Sequence, residues 1–247
     1  MNLFKADLHI HTVLSPCGSL EMSPKVIVER ALEMGLDIIG ITDHNSTLQC
    51  EVVVKLAGKK GLTVLCGAEV TTKEEVHCLT FFETFEKLET FQQYLDQHLP
   101  DIPNDTEMFG HQVWVDEDEN ILGEESRLLI SAIDQSIEEV EAMVRSLDGL
   151  FIPAHVDRGR FSLYSQLGFM PSDLKPDAVG ATFRANMDEM IKSHPELKKL
   201  AILRSSDAHF PEAIGTHYTV LEMEQCNFSE IRLALHQKDG RKVKELV

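Results

Sequence analysis

The chain has 247 residues, enough to bury a full core in one domain, and its 43% hydrophobic and 26% charged side chains exclude a disordered polypeptide. With 41 acidic against 23 basic side chains the net charge is −18, so the average surface repels phosphate polyanions and nucleic acid is disfavoured as a partner. Five cysteines without a CxxC pair read as reduced thiols, and neither a signal-peptide pattern nor an 18-residue apolar run is present, so the expected location is cytoplasmic, away from membranes.

Short apolar runs alternate with helical patterns along the chain, as in βα units. "LFKADLHIH" reads as a first strand. A helix follows in "SPKVIVERALEMG", with Ser23 as N-cap, Pro24 at the first helical position and Gly35 as the stop. "LDIIGITDH" is the second strand, then a helix near 48–60, strands "LTVLCGAEV" and "EVHCLTFFE", and a helix over about 85–98. Residues 99–131, with Pro100, Pro103 and the acidic run "WVDEDENILGEE", form an insertion: a lid or a solvated hairpin turning near Glu119 and Asn120. Beyond it the pattern predicts a helix near 136–148, strands "LFIPAHV" and "DAVGAT", a helix over 184–193, strand "LAILRSSDAH" and a last helix near 229–237. Seven strands with intervening helices predict a barrel-like α/β fold built on a largely parallel sheet; periodicity alone also permits an open sheet.

Chemistry concentrates at the strand ends. Alternation in "DLHIH" puts Asp7, His9 and His11 on one face, where two imidazoles can share a metal. Asp43 and His44 end "GITDH", Glu69 lies in "CGAEV", His77 in "EVHCL", His155 ends "FIPAHV", and Asp207 and His209 stand two apart in "SSDAHF". Taken singly these residues have ordinary readings, with Asp43 and Asp207 as helix caps and His77 as a core histidine. Taken together, so many buried donors would remain unpaired without a shared cation.

In this order, at these strand ends, the motifs HxH (His9, His11), TDH (Asp43, His44), Glu69, His77, His155 and DxH (Asp207, His209) resemble the PHP (polymerase and histidinol phosphatase) family of metal-dependent phosphoesterases. The resemblance spans essentially the whole length and implies a single domain over 1–247, a distorted TIM-like (β/α)7 barrel with a small insertion. It also implies two or three divalent ions, zinc, manganese or iron. His9, His11, Glu69 and Asp207 would hold one; Glu69 would bridge to a second held by His77 and His155; His44 and His209 would belong to a third. Where relatives carry a further histidine or aspartate after HxH, this chain has Cys17, which reads either as a thiolate ligand favouring zinc or as a bystander.

The implied reaction is hydrolysis of a small phosphate monoester, such as histidinol phosphate or a nucleotide-like metabolite, by metal-activated hydroxide. Asp43 would orient a ligand imidazole, and Arg158, Arg160 and Arg184 would clamp the phosphate. Two alternatives stay open: a 3′-5′ exonuclease-like phosphodiesterase, and a non-catalytic regulatory domain held together by metal. Oligomeric state is not legible in the sequence.

Overall fold

The computed structural model describes residues 1–244; the last three of the expected domain, 245–247, lie outside them. In chain order the elements are β1 (Asn2–Ile10), α1 (Pro24–Glu33), β2 (Ile38–Ile41), α2 (Cys50–Gly58), β3 (Thr63–Thr71), β4 (His77–Phe82) and α3 (Phe85–His98). Then come α4 (Thr106–Phe109), β5 (Val113–Val115), β6 (Ile121–Glu124), α5 (Ile137–Ser146), β7 (Leu150–Pro153), α6 (Leu163–Leu167) and β8 (Ala178–Gly180). The chain continues with α7 (Met187–Ser193), β9 (Ala201–Leu203), β10 (Thr219–Met223), α8 (Phe228–Leu235) and β11 (Lys242–Lys244).

Helix starts follow the local chemistry of the sequence. The Ser23 hydroxyl accepts from the Val26 N–H with Pro24 in the first turn of α1, and Ser136 and Glu139 form a reciprocal capping box on α5.

The sheet runs β11-β10-β1-β2-β3-β4-β7, a curled half-barrel, with β8 and β9 as a separate parallel pair beside β7. Together they make a distorted TIM-like α/β barrel. The expectation of a largely parallel sheet is corrected: only β1–β2, β2–β3 and β8–β9 are parallel, while β3–β4, β4–β7, β1–β10 and β10–β11 are antiparallel. The reason is a tight reversal at 72–76 between β3 and β4, with no helix to carry the chain back. This reversal matters for the site, because the amino end of β4 comes to lie beside the carboxyl end of β3, with His77 opposite Thr71.

The inner face of the barrel, including Ala6, Leu8, Leu79 and Ile152 of the sheet and Ala178 and Leu203 of the β8–β9 pair, packs with the buried side of α8, while α1, α2, α3 and α5 cover the outer face. Arg232 of α8 pairs with Asp148, just before β7, and His236 Nε2 lies 2.6 Å from Asp177 Oδ1, just before β8. Helix α8 therefore closes the amino-terminal end of these strands, opposite the end that carries the histidines.

Segment 99–131 contains α4 and the β5–β6 hairpin. The buried Gln49 carboxamide donates to the Val115 carbonyl at 3.0 Å and accepts its N–H at 2.9 Å, and Val113 and Val115 pack on Val13 in the loop after β1. At the hairpin tip Glu119 has a left-handed backbone (φ 67°), and its carboxylate accepts from Ser23 Oγ at 2.5 Å. Among the described residues no helix is long and apolar enough to cross a membrane.

Candidate metal centre

Backbone hydrogen bonds zip the strand-end loops together beyond the sheet itself. His11 N–H donates to Ala208 O and Ala208 N–H to His9 O, joining the HxH and DxH segments; Glu69 N–H donates to Asp43 O and Asn45 N–H to Glu69 O, joining β3 to the TDH segment. His155 and Asp207 hold left-handed backbones (φ 29° and 53°), a strained state for non-glycine residues that turns both side chains at the ends of β7 and β9.

Around the buried Glu69 stand five imidazoles. His9 Nε2 and His11 Nε2 lie 3.2 and 3.3 Å from Oε2, and His44 Nδ1 lies 3.5 Å from it; His77 Nδ1 and His155 Nε2 lie 3.0 and 3.2 Å from Oε1. A carboxylate has about four acceptor sites, so five imidazoles crowd it beyond ordinary pairing. Burial opposes the charge on Glu69, but His77 and His9 outweigh it and hold the carboxyl well below its usual range. Asp207 is likewise held low against its own burial, by His9 and by the hydrogen bond from His11. Burial holds His44 and His155 below the ordinary imidazole range, and burial with the neighbouring His11 charge brings His209 down to about 4, so these rings are neutral at pH 7.

This donor set fits a divalent cation. His9 Nε2 and His11 Nε2 are 3.1 Å apart, and Asp207 Oδ1 lies 3.2 and 3.5 Å from them. Glu69 Oε2 lies 3.2 and 3.3 Å from the same two nitrogens, and donor separations of this order are those of nitrogen and oxygen ligands held about 2 Å from a shared cation such as zinc. A second group, His44, Glu69 and His77, has its donor atoms mutually within 4.8 Å, as does a third of His11, Cys17, His44 and His209. His44 Nδ1, both His77 ring nitrogens and His155 Nδ1 are buried without a hydrogen-bond partner among the described residues, although His77 Nδ1 and His44 Nδ1 sit near Glu69. A buried lone-pair nitrogen is costly unless something takes the pair, and His44 Nδ1 and His77 Nδ1, which face Glu69, are placed to give theirs to a cation.

All nine expected metal residues thus converge. His44 differs from expectation by approaching the second group as well as the third. Cys17 is exposed as a residue, yet its Sγ reaches into the third group; burial, offset in part by the His11 charge, pushes its thiol up to about 11, so a neighbouring cation is what would convert it to thiolate. His77 joins because β4 is antiparallel, which brings an amino-terminal strand residue to the face where the other strands end. Asp7, grouped with the histidines by alternation, instead accepts the backbone N–H groups of Ser206 and Gly215 at 3.0 and 2.9 Å.

Asp43 reaches no cluster directly. Its carboxylate accepts from Thr12 N, Thr12 Oγ1 and Ser15 Oγ, each at 2.7 Å, and Ser15 Oγ lies 3.0 Å from His11 Nδ1. Nothing in the spacing of "TVLSPCG" marks Ser15, since a lone serine has no periodic signal.

A cavity of about 440 Å³ opens beside His9, His155 and Asp207. Its inner wall is Leu79, Ala154 and Leu203, and Arg158, Phe183 and Arg184 stand around it. Arg158 Nη2 donates to Asp207 Oδ2 at 2.5 Å, and the Arg184 guanidinium lies 5.1 Å from the Phe183 ring centre. All three arginines are exposed, but Arg160 lies outside the cavity lining that includes Arg158 and Arg184. Asp157, which the sequence did not single out, accepts from Thr182 N at 2.7 Å and ties the His155 loop to the end of β8.

The PHP domain model matches residues 7–163, and a model described as PHP-associated matches residues 196–239. YqxK of Bacillus subtilis is 25% identical over 276 aligned positions, which cover 98% of this chain and 64% of YqxK. The lesion-specific endonuclease PfuEndoQ from Pyrococcus furiosus shares the fold, with a TM-score of 0.75 and 24% identity over 98% of this chain and 58% of that one. Endonuclease Q in complex with a 27-mer duplex substrate, with an abasic lesion at the active site, gives 0.72 and 25% over the same shares. The chain spans less than two thirds of the length of each of these proteins.

Proposed function

Because this chain belongs to the PHP domain family, we propose that it is a metal-dependent phosphoesterase acting on a phosphate ester of nucleotide size. The observation that carries the reading is the crowding of five imidazoles on Glu69, with Asp207 completing a cage of cation dimensions, at the mouth of a cavity of about 440 Å³. That volume lies within the range of small-ligand sites. His9, His11, Glu69 and Asp207 would hold one ion, Glu69 with His77 and His155 a second, and His44, His209 and Cys17 a third, since a neutral imidazole has one lone pair and serves one ion. Bound divalent ions supply a water of lowered pKa and neutralise charge on phosphoryl oxygens.

The chain's own groups do the rest. Arg158 and Arg184 orient the phosphate by charge-assisted hydrogen bonds, and Leu79, Ala154 and Leu203 exclude water from the substrate's non-phosphate part. Residues 1–247 are read as one PHP-like domain with 99–131 as an insertion. The contacts of Gln49 and Val13 with the hairpin favour a fixed support behind the loop after β1 over a moving lid.

A phosphodiester in DNA is the second reading, favoured by the 25% identity to Endonuclease Q over 98% of the chain. The overall charge of −18 does not extend to the cavity, where Arg158 and Arg184 balance Asp157 and Asp207 in the lining.

The test is hydrolysis of a phosphorylated-metabolite panel and of an abasic-site duplex by protein reconstituted with zinc, manganese or iron, with His9→Ala as control. The expected outcome is turnover of at least one class, falling about 100-fold or more in the variant. Internal nicking of the duplex would select the diester reading and stepwise shortening from an end the exonuclease reading. No turnover with any of the three metals would leave a regulatory metal domain.

A further inference from the structure

The hydroxyl of Ser15, fully buried between the loops after β1 and β2, touches three groups whose proton requirements determine one another. Ser15 Oγ lies 2.7 Å from Asp43 Oδ1, 3.0 Å from His11 Nδ1 and 3.2 Å from the His44 backbone nitrogen. A serine hydroxyl has one proton and two acceptor sites. Asp43 Oδ1 already receives the Thr12 N–H, so it is the acceptor in its contact with Ser15, and the single serine proton is used there. Both remaining sites must then accept: one takes the His44 N–H and the other a hydrogen on His11 Nδ1. The opposite polarity, Ser15 donating to His11, would leave the buried Asp43 contact without a proton, at the cost of an unmade charge-assisted hydrogen bond.

We infer that Ser15 is a positioning residue: held by Asp43, it fixes His11 with its hydrogen on Nδ1 and thereby turns the Nε2 lone pair into the cage formed with His9, Glu69 and Asp207. The inference rests on the reading that this cage takes divalent ions. It also gives Asp43 a defined role, acting on His11 through one hydroxyl. The same oxygen accepts the backbone N–H of His44, so it links two loops that supply donors to different groups. A ligating imidazole whose other nitrogen is held in this way keeps both ring orientation and basicity, and loss of such a partner weakens metal affinity by about 10–100-fold.

The experiment measures zinc binding by calorimetry and the imidazole 1H–15N spectrum of the zinc-loaded protein. In the wild type, His11 is expected to show a protected Nδ1–H resonance. Ser15→Ala is expected to keep its far-UV circular dichroism, to bind zinc about 10–100-fold more weakly, and to lose that resonance to exchange. Asp43→Asn, which can keep a carbonyl facing Ser15, is expected to bind more weakly than wild type but to retain the resonance; it carries the test if Ser15→Ala fails to fold. A Ser15→Ala protein with the wild-type Kd, an Asp43→Asn protein with the wild-type Kd, or a loaded wild type with Nδ1 unprotonated would overturn the inference. A wild-type protein that binds none of zinc, manganese or iron would overturn the phosphoesterase reading instead.

Discussion

At the scale of single residues, the three arginines proposed for phosphate separate by position. Arg158 and Arg184 line the cavity, whereas Arg160 is not part of its lining. Arg158→Ala is accordingly expected to raise KM for the hydrolysed ester about tenfold or more, the worth of a hydrogen bond to a charged group, and Arg160→Ala to change it by no more than about twofold. Steady-state kinetics of the two variants under one metal condition checks this, and equal effects would remove the cavity as the substrate site. The donors were legible in the sequence because imidazoles and carboxylates recur at strand ends. Ser15 and Asp157 were not, since their roles arise from partners 28 and 25 positions away in the chain.

At the scale of elements, the approach of β4 to β3 depends on Gly67. A Cβ placed there would lie 1.6 Å from the Thr80 carbonyl oxygen, a backbone atom that cannot step aside. Gly67→Ala is therefore expected to lower stability by about 3 kcal/mol, at the upper end of ordinary overpacking, and to disturb Glu69 and His77, which the same strand pair carries. Denaturant melts together with zinc titration check both halves; a stable variant with wild-type affinity would show that the strand pair tolerates a wider spacing. The helices α1, α3 and α5 could be read from caps and spacing. Strands β10 and β11 could not, because their short stretches "TVLEM" and "KVK" gain strand character only from pairing with β1 and with each other. Nor does a run of alternating residues say whether its neighbour is parallel, which is why the direction of β4 escaped the sequence.

For the molecule as a whole, the cage proposed to hold ions also joins separate strands. Chelation is expected to lower the Tm by several degrees, and zinc at about 100 times its Kd to restore about 2.7 kcal/mol of apparent stability. Thermal melts with a chelator and after zinc return would show this, and an unchanged Tm alongside lost hydrolysis would mean that the barrel stands without its ions. The barrel class was legible from alternating strand and helix patterns; its half-open curl and its closure by α8 follow from long-range packing that no local pattern encodes.

The first strand is stitched to segments made much later: Asp7 accepts from Ser206 and Gly215, 199 and 208 positions further on, and β1 pairs with β10. At ordinary rates of translation about 10–40 s separate the synthesis of those partners. During that interval the nascent polypeptide already displays His9 and His11 while the carboxylate of Asp207 does not yet exist. Ion capture is thereby deferred until the closing strand has emerged, and a ribosome stalled before it would release a chain with half a cage.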